Sequence, residues 1–176
     1  VAIALRRGTP ASDQWNATVL ATDINTRTLR KAEDGLFGEW SFRNAPPWLA
    51  GCFFRPKKDG KREILPEIRR MVSFEYLNLA EDAFPSSLND TSAMDIVFCR
   101  NVLMYFSPER ARLIVDKLGR ALVDGGWLIV SACECSQALF SGFSSVQFPG
   151  ATAYRKLMKP PLAEELPPPE TACIAQ

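Results

Sequence analysis

Histidine is entirely absent from the 176 residues. Without an imidazole, neither a Ser-His-Asp triad nor a Cys-His pair can operate, so any chemistry must proceed without histidine as a general base. The five cysteines are odd in number and irregularly spaced, which argues against a disulfide framework. A zinc site would need more thiolates or carboxylates than the pattern offers, so we expect no metal site and reduced thiols.

Long apolar runs and an excess of charge of one sign are also missing. No hydrophobic stretch approaches the ~20 residues needed to cross a bilayer, and the apolar segment 1–5 is too short for the core of a signal peptide. The net charge of +1 favours neither nucleic acid nor a membrane surface as a partner. With 47% hydrophobic and 23% charged residues, the composition is typical of a globular protein. The expectation of reduced thiols predicts a cytoplasmic location.

The sequence does contain alternating strand and helix signals, which predict an α/β fold. Segment 1–7 resembles the last turns of a helix, so we expect further sequence upstream of it. The other predicted elements are a strand at 18–21 extended by Trp15, a helix from Asn25 or Thr26 to Asp34, a hairpin at 52–65 around Asp59-Gly60, strands at 72–77, 94–99 and 127–132, and a helix from Ser107-Pro108 to Gly125-Gly126 whose apolar stripe is Leu113, Ile114, Leu118, Ala121 and Leu122. Residues 1–156 are predicted to form the domain, and the proline-rich residues 157–176 a flexible linker or tail.

Polar residues at predicted strand ends are the candidate binding groups. Asp23 ends a buried strand, where an acid commonly binds ribose hydroxyls, although it could instead only cap the next helix. Asn78, followed by Leu79, could pair with an adenine edge or could only form a turn. Asn101 could hold the amino-acid part of a ligand through its side chain or backbone, and Tyr105 could face a cationic group, although residues 102–106 could also be plain core.

The hairpin region is strongly basic. Either its cations form a solvated face or they form a docking surface for an acidic partner. They are Arg55, Lys57, Lys58, Lys61, Arg62, Arg69 and Arg70.

Several short strings occur in the order seen in one enzyme family. The most specific is Cys-Arg-Asn-Val-Leu-Met-Tyr-Phe at residues 99–106, preceded by Asp-Ile-Val-Phe. The others are Ala-Thr-Asp-Ile at 21–24, Val-Ser-Phe at 72–74 leading to Asn78-Leu79, Leu-Val-Asp-Gly-Gly at 122–126 and Tyr-Arg-Lys at 154–156. Over roughly residues 1–156, the chain resembles the CheR-type chemotaxis receptor methyltransferases.

The resemblance implies a Rossmann-like sheet with an inserted β-hairpin subdomain, and a first strand and glycine-rich loop that are missing from this chain. It implies S-adenosylmethionine as cofactor and O-methylation of glutamate side chains on chemoreceptor-like proteins, which the hairpin 52–65 would contact. It assigns Asp23 to the ribose, and Asn78, Leu79, Asn101 and Val102 to the adenine and methionine parts of the cofactor. Tyr105 matches a tyrosine near the reacting methyl group.

The chain also departs from the family pattern. The glycine-rich loop and an amino-terminal helical domain are absent, and the family's Gly-His-Ser-Glu is replaced by Ser-Ala-Cys-Glu at 131–134. Two other functions therefore stay open at this point. One is a degenerate relative that only binds a signalling partner through the hairpin, and the other is a nicotinamide-dependent Rossmann enzyme.

Overall fold

The computed structural model of the protein describes residues 1–8, 17–136, 138–149 and 151–158. The chain divides into two compact units, one formed by Val1–Asp90 and the other beginning at Thr91. No helix within the described ranges is long and apolar enough to cross a membrane. The predicted linker at 157–176 lies almost wholly outside the described residues, as does Trp15.

The first unit combines a parallel strand pair with a small antiparallel sheet. Strands β1 and β5 pair in parallel, and the sheet of three strands has the order β2-β4-β3. The elements are α1 Ala2–Gly8, β1 Val19–Asp23, α2 Thr26–Asp34, β2 Leu36–Phe37, α3 Pro47–Phe53, β3 Phe54–Pro56, β4 Arg62–Ile64, α4 Pro66–Arg69 and β5 Val72–Tyr76, with 3-10 turns at Glu39–Phe42, Lys58–Gly60 and Ser87–Asn89.

Local chemistry sets the ends of α2, as predicted. The Asn25 side chain accepts hydrogen bonds from the backbone N–H groups of Arg27 and Thr28, at 3.0 and 3.2 Å, which satisfies donors that the first helical turn leaves free. At the other end Gly35 adopts φ 66°, and its N–H donates to the Ala32 carbonyl. A glycine reaches this left-handed conformation without the steric cost that a side chain would bring.

The predicted hairpin is confirmed in its turn and revised at its start. Strands β3 and β4 pair antiparallel on either side of Asp59-Gly60, and β3, which contains Pro56, lies at the edge of its sheet. Residues 52 and 53, which the prediction placed in the hairpin, belong to α3 instead. The two-residue strand β2, which the sequence did not predict, completes this sheet on the other side of β4.

The second unit is built on a sheet of four strands with the order β6-β7-β9-β8. Strands β6 and β7 are parallel and joined through α5, while β7, β9 and β8 are antiparallel. The elements are β6 Met94–Phe98, α5 Pro108–Ala121, β7 Leu122–Ile129, β8 Phe143–Phe148 and β9 Ala151–Lys156, with 3-10 turns at Leu103–Tyr105 and Ala132–Glu134.

The prediction that Gly125-Gly126 ends a helix is wrong. Helix α5 begins as expected, with Ser107 as cap and Pro108 in its first turn, but it stops at Ala121. The chain then becomes extended at Leu122, which pairs with Met94, and both glycines lie inside β7. A register shift separates this pair from the next, and Gly125 at φ 77° absorbs the irregularity.

The apolar face of α5 forms much of the core of the second unit. Ile114, Val115 and Leu118 are buried on it, and Leu128 of the neighbouring β7 is fully buried. Leu113, which the predicted stripe included, is 55% exposed, so that assignment is wrong. Successive helical residues are about 100° apart, so Leu113 points well away from the direction on which Ile114, Val115 and Leu118 are centred.

Candidate functional site

Three of the predicted site residues lie at one end of the parallel pair β1–β5. Asp23 is the last residue of β1 and is in register with Tyr76, the last residue of β5. The Leu77 N–H donates to the Asp23 carbonyl at 3.2 Å, so Asn78 and Leu79 leave the strand beside Asp23. Because the strands are parallel, both chains turn away at the same carboxyl edge, which is where ligands bind in open α/β sheets.

The side chain of Asp23 is only partly engaged by the protein. Its Oδ1 accepts the Asn25 N–H at 2.8 Å, which fixes the turn into α2. Asn25, rather than Asp23, is the helix cap. Since Oδ2 has no hydrogen-bond partner among the described residues and the side chain is half-buried, Asp23 offers a positioned acceptor at the strand end.

Asn78 forms a turn through both polar atoms of its side chain. Its Oδ1 accepts the Ala80 N–H at 3.0 Å, and its Nδ2 donates to Glu81 at 2.9 Å. This is the geometry of an Asx turn, so the turn interpretation of Asn78 describes what the side chain does within the protein. A second Nδ2 hydrogen is still available for a ligand, and Leu79 beside it is half-buried.

The other predicted site residues lie in a single loop of the second unit, between β6 and α5. Asn101 adopts φ 57°, a left-handed conformation that asparagine tolerates better than most residues. The chain then makes the 3-10 turn Leu103–Tyr105. Leu103 is buried, Val102 is half-buried and Tyr105 is 80% exposed, so the tyrosine ring is presented to solvent.

One carboxylate holds this loop in place, and it belongs to Glu134, which is only 7% exposed. Its Oε1 accepts the N–H groups of Val102 and Leu103, both at 2.8 Å, and that of Met104 at 3.4 Å. Its Oε2 accepts the Asn101 N–H at 2.8 Å, the Ser131 N–H at 3.2 Å and the Ser131 hydroxyl. We call the Glu134 carboxylate and residues 101–104 the loop clamp.

The clamp keeps Glu134 ionised. Burial by itself would raise the pKa of this carboxyl group, but hydrogen bonds from the Ser131 hydroxyl and from the backbone of Asn101, Ser131 and Val102 outweigh burial. The net effect lowers the pKa of Glu134 to about 2, from an ordinary value of 4.5. The carboxylate is therefore charged at every physiological pH.

The clamp also limits what the loop can offer a ligand. The backbone N–H groups of Asn101 and Val102 are both taken by Glu134, so the backbone option for Asn101 reduces to its carbonyl oxygen. Among the described residues, its side-chain amide makes only a long contact, 3.9 Å from Nδ2 to the Cys133 sulfur. Cys99, which precedes this loop, is not a nucleophile at neutral pH. Burial, with the nearby negative charge of Glu134, raises the pKa of its thiol to about 12.

Sequence reasoning did not assign a function to Glu134 or Ser131, although a signal for them is present. The spacing Ser-x-x-Glu at 131–134 is that of a capping box, and both of its reciprocal hydrogen bonds are formed. The pattern predicts a local turn but gives no indication that the same carboxylate binds a loop some 30 residues earlier.

Comparison with known proteins shows the family. Residues 1–148 match the family described as CheR methyltransferase, SAM binding domain. The chain belongs to this CheR methyltransferase family. The cofactor of the domain is therefore S-adenosylmethionine, and the predicted resemblance and α/β fold class are confirmed.

Individual relatives agree with the family assignment. Chemotaxis protein methyltransferase 2 of Vibrio cholerae is 33% identical over 147 residues, covering 84% of this chain and 50% of the relative. Chemotaxis protein methyltransferase 1 of Pseudomonas aeruginosa is 33% identical over 138 residues, covering 78% and 48%. The probable biofilm formation methyltransferase WspC of the same species is 28% identical over 141 residues, covering 80% and 32%. The chain thus spans half, or less, of the length of these relatives.

Proposed function

We propose that this CheR-family protein transfers a methyl group from S-adenosylmethionine to glutamate side chains of chemoreceptor-like proteins. The observation that carries the proposal is the match of residues 1–148 to the family. The chemotaxis methyltransferase names of the relatives support the signalling context.

The side chains at the two strand ends suit this cofactor. In the first unit, the free oxygen of Asp23 would accept hydrogen bonds from the ribose hydroxyls, and Asn78 and Leu79 would line the adenine. By the same resemblance to the family, Asn101 and Val102 of the second unit are assigned to cofactor contacts residue by residue. Carboxylate and amide groups are appropriate partners for a diol and an amino-acid moiety, because together they supply both acceptors and donors.

The reaction requires no histidine. Bound S-adenosylmethionine supplies a methyl group activated by a positively charged sulfur. The acceptor glutamate has an ordinary pKa of ~4.3 and is already ionised at pH 7, so the protein need not remove a proton from it. The contribution of the protein is then binding and orientation, which can supply ~7–11 kcal/mol of rate acceleration. Tyr105, with its exposed ring and hydroxyl, is the residue we assign to orienting the acceptor group.

The basic hairpin is the surface that we propose for the acidic partner. Lys58 and Lys61 are exposed and form no ion pair with any described residue. Lys57 is different, because its ammonium lies 2.7 Å from the Glu63 carboxylate, which also lowers the pKa of Glu63. Much of the charge of Lys57 is therefore compensated within the protein, and the free positive charge at the turn belongs to its neighbours.

Methyl transfer can be tested with radiolabelled S-adenosylmethionine and membranes that contain chemoreceptors. We expect label on receptor protein, released as methanol by mild alkali because the product is a carboxylate ester. Replacing the acceptor glutamates of the receptor by alanine should abolish the labelling. Intact cofactor binding without any transfer to receptor would instead support the alternative of a binding module.

Docking can be tested separately by charge reversal of Lys58 and Lys61 to glutamate. We expect weaker receptor binding, with the largest loss at low salt, since exposed charges are screened over ~8 Å at physiological ionic strength. Cofactor affinity should stay the same. The matched control reverses the exposed Arg112 and Arg120, which lie on α5. Equal effects of the two reversals would show that the hairpin is only a solvated face.

A further inference from the structure

Glu134 has no assigned part in binding the cofactor or the acceptor. Yet Glu134 is a buried acid, and it lies beside residues to which we assign cofactor contacts. Its hydrogen bonds reach the backbone of Asn101 and Val102, the two residues of this unit to which we assign cofactor contacts. The clamp is therefore the physical link between the β7 end of the sheet and the candidate site loop.

The shape of the loop depends on an anion at this position. Asn101 is left-handed, and the N–H groups that follow it at Val102 and Leu103 converge on one oxygen atom. Successive N–H groups in such a turn form a concave nest that attracts an anion. Here the anion is a side chain of the protein itself. Without the charge, the converging donors would keep only a neutral and therefore weaker acceptor, and the left-handed turn would be less stabilised.

We propose that Glu134 is a positioning residue for cofactor binding, which holds the backbone of residues 101–103 so that the Asn101 side chain is directed at the ligand. The inference rests on the proposed function, because it concerns the same site. By filling the nest, the Glu134 carboxylate also keeps a carboxylate of the ligand from binding there. The ligand is left to contact the side chain and the carbonyl oxygen of Asn101.

A double-mutant cycle tests the proposal, with affinity for S-adenosylhomocysteine measured by calorimetry. The two changes are Glu134→Gln, which removes the charge, and Asn101→Gly, which removes the side chain while still allowing φ 57°. We expect Glu134→Gln alone to weaken binding about tenfold or more, and to weaken it less than about threefold when Asn101 is already glycine. A purely structural role of Glu134 would give additive losses, and that result would overturn the proposal.

Two further measurements separate positioning from general instability. Hydrogen exchange of the amides at 101–103 should accelerate in Glu134→Gln without cofactor, while exchange in α5 stays slow. Asp116→Asn, an exposed carboxylate on α5, is the matched control and should change neither affinity nor exchange. Glu134→Asp keeps the charge on a shorter side chain and should restore part of the affinity.

The outcomes distinguish this inference from the proposed function. If the cycle is non-additive but no receptor is methylated, Glu134 positions a binding site and the proposed activity is wrong. If receptor is methylated but the affinity losses of the two substitutions are additive, the proposed activity is supported and the positioning role of Glu134 is wrong. A wild-type protein that does not bind S-adenosylhomocysteine would overturn both.

Discussion

Replacing Glu134 by glutamine should destabilise the second unit, and the structure indicates by how much. The amide oxygen can still accept the N–H groups of Val102 and Leu103. Its NH₂ group, however, then faces the N–H groups of Asn101 and Ser131. Both sides are hydrogen-bond donors, so these two N–H groups lose their acceptor. A buried donor left without an acceptor costs about 1–3 kcal/mol, and water can reach the exposed Asn101. We therefore expect a loss of about 2–3 kcal/mol at pH 7.

The pH dependence of this loss gives a second, independent test. The pKa of Glu134 is lowered to about 2 in the folded protein, from 4.5. A lowered folded-state pKa stabilises the protein at pH values above 4.5, and this stabilisation is lost as the pH falls from 4.5 towards 2. Because glutamine cannot titrate, the difference in stability between wild type and Glu134→Gln should be largest at pH 7 and should shrink below pH 4.5.

The assay is urea unfolding followed by circular dichroism at several pH values, with Asp116→Asn as the control for a lost surface carboxylate. Comparing each variant with wild type at the same pH cancels the titration of the other carboxyl groups. A difference below about 0.5 kcal/mol at pH 7 would refute the reasoning, since surface substitutions alone reach that size. So would a difference that does not change between pH 7 and pH 3.

Other substitutions test the core and the site. Gly126→Ala should cost about 1–3 kcal/mol in urea unfolding, because the new Cβ would lie 2.9 and 3.1 Å from two backbone oxygens. A Cβ at Gly142 would meet no atom of the described part of the chain within 4 Å, so Gly142→Ala should be nearly neutral. Phe140→Ala should cost about 3–5 kcal/mol, since the ring is 2% exposed and stacks on a tyrosine, while Phe148→Ala, half exposed, should cost much less. Asp23→Ala should weaken S-adenosylhomocysteine binding about 10- to 150-fold in calorimetry without changing the circular dichroism spectrum. Unchanged affinity would show that the Asp23 side chain only stabilises the turn into α2.

Much of the local structure could be predicted from the sequence. Asn25 and Gly35 mark the ends of α2, Ser107 marks the start of α5, and Asp59-Gly60 marks the hairpin turn. These signals are reliable because each depends on hydrogen bonds or steric limits within about four residues, so the interacting residues are close neighbours in the sequence.

Elements that depend on distant partners were missed or misplaced. The sequence does not predict strands β8 and β9. Its helical pattern also continues into the start of β7, because Leu122 becomes extended only by pairing with Met94. Strand β2, with two residues, exists only because β4 lies beside it. Strand propensity is weak compared with such pairing, so the short strands could not be found from composition.

The sequence by itself determined the family and the identity of the candidate site residues, because the string at 99–106 carries that information in its order. What only the tertiary structure decided is how the loop is held. The parallel pairing of β6 and β7 brings Ser131 and Glu134 beside Asn101, at separations of 30 and 33 residues. The Glu134 carboxylate accepts the four consecutive backbone N–H groups of residues 101–104 because the chain turns left-handed at Asn101 and the end of β7 places the acid beside that turn. That convergence is a property of two strand ends together, which no local pattern contains.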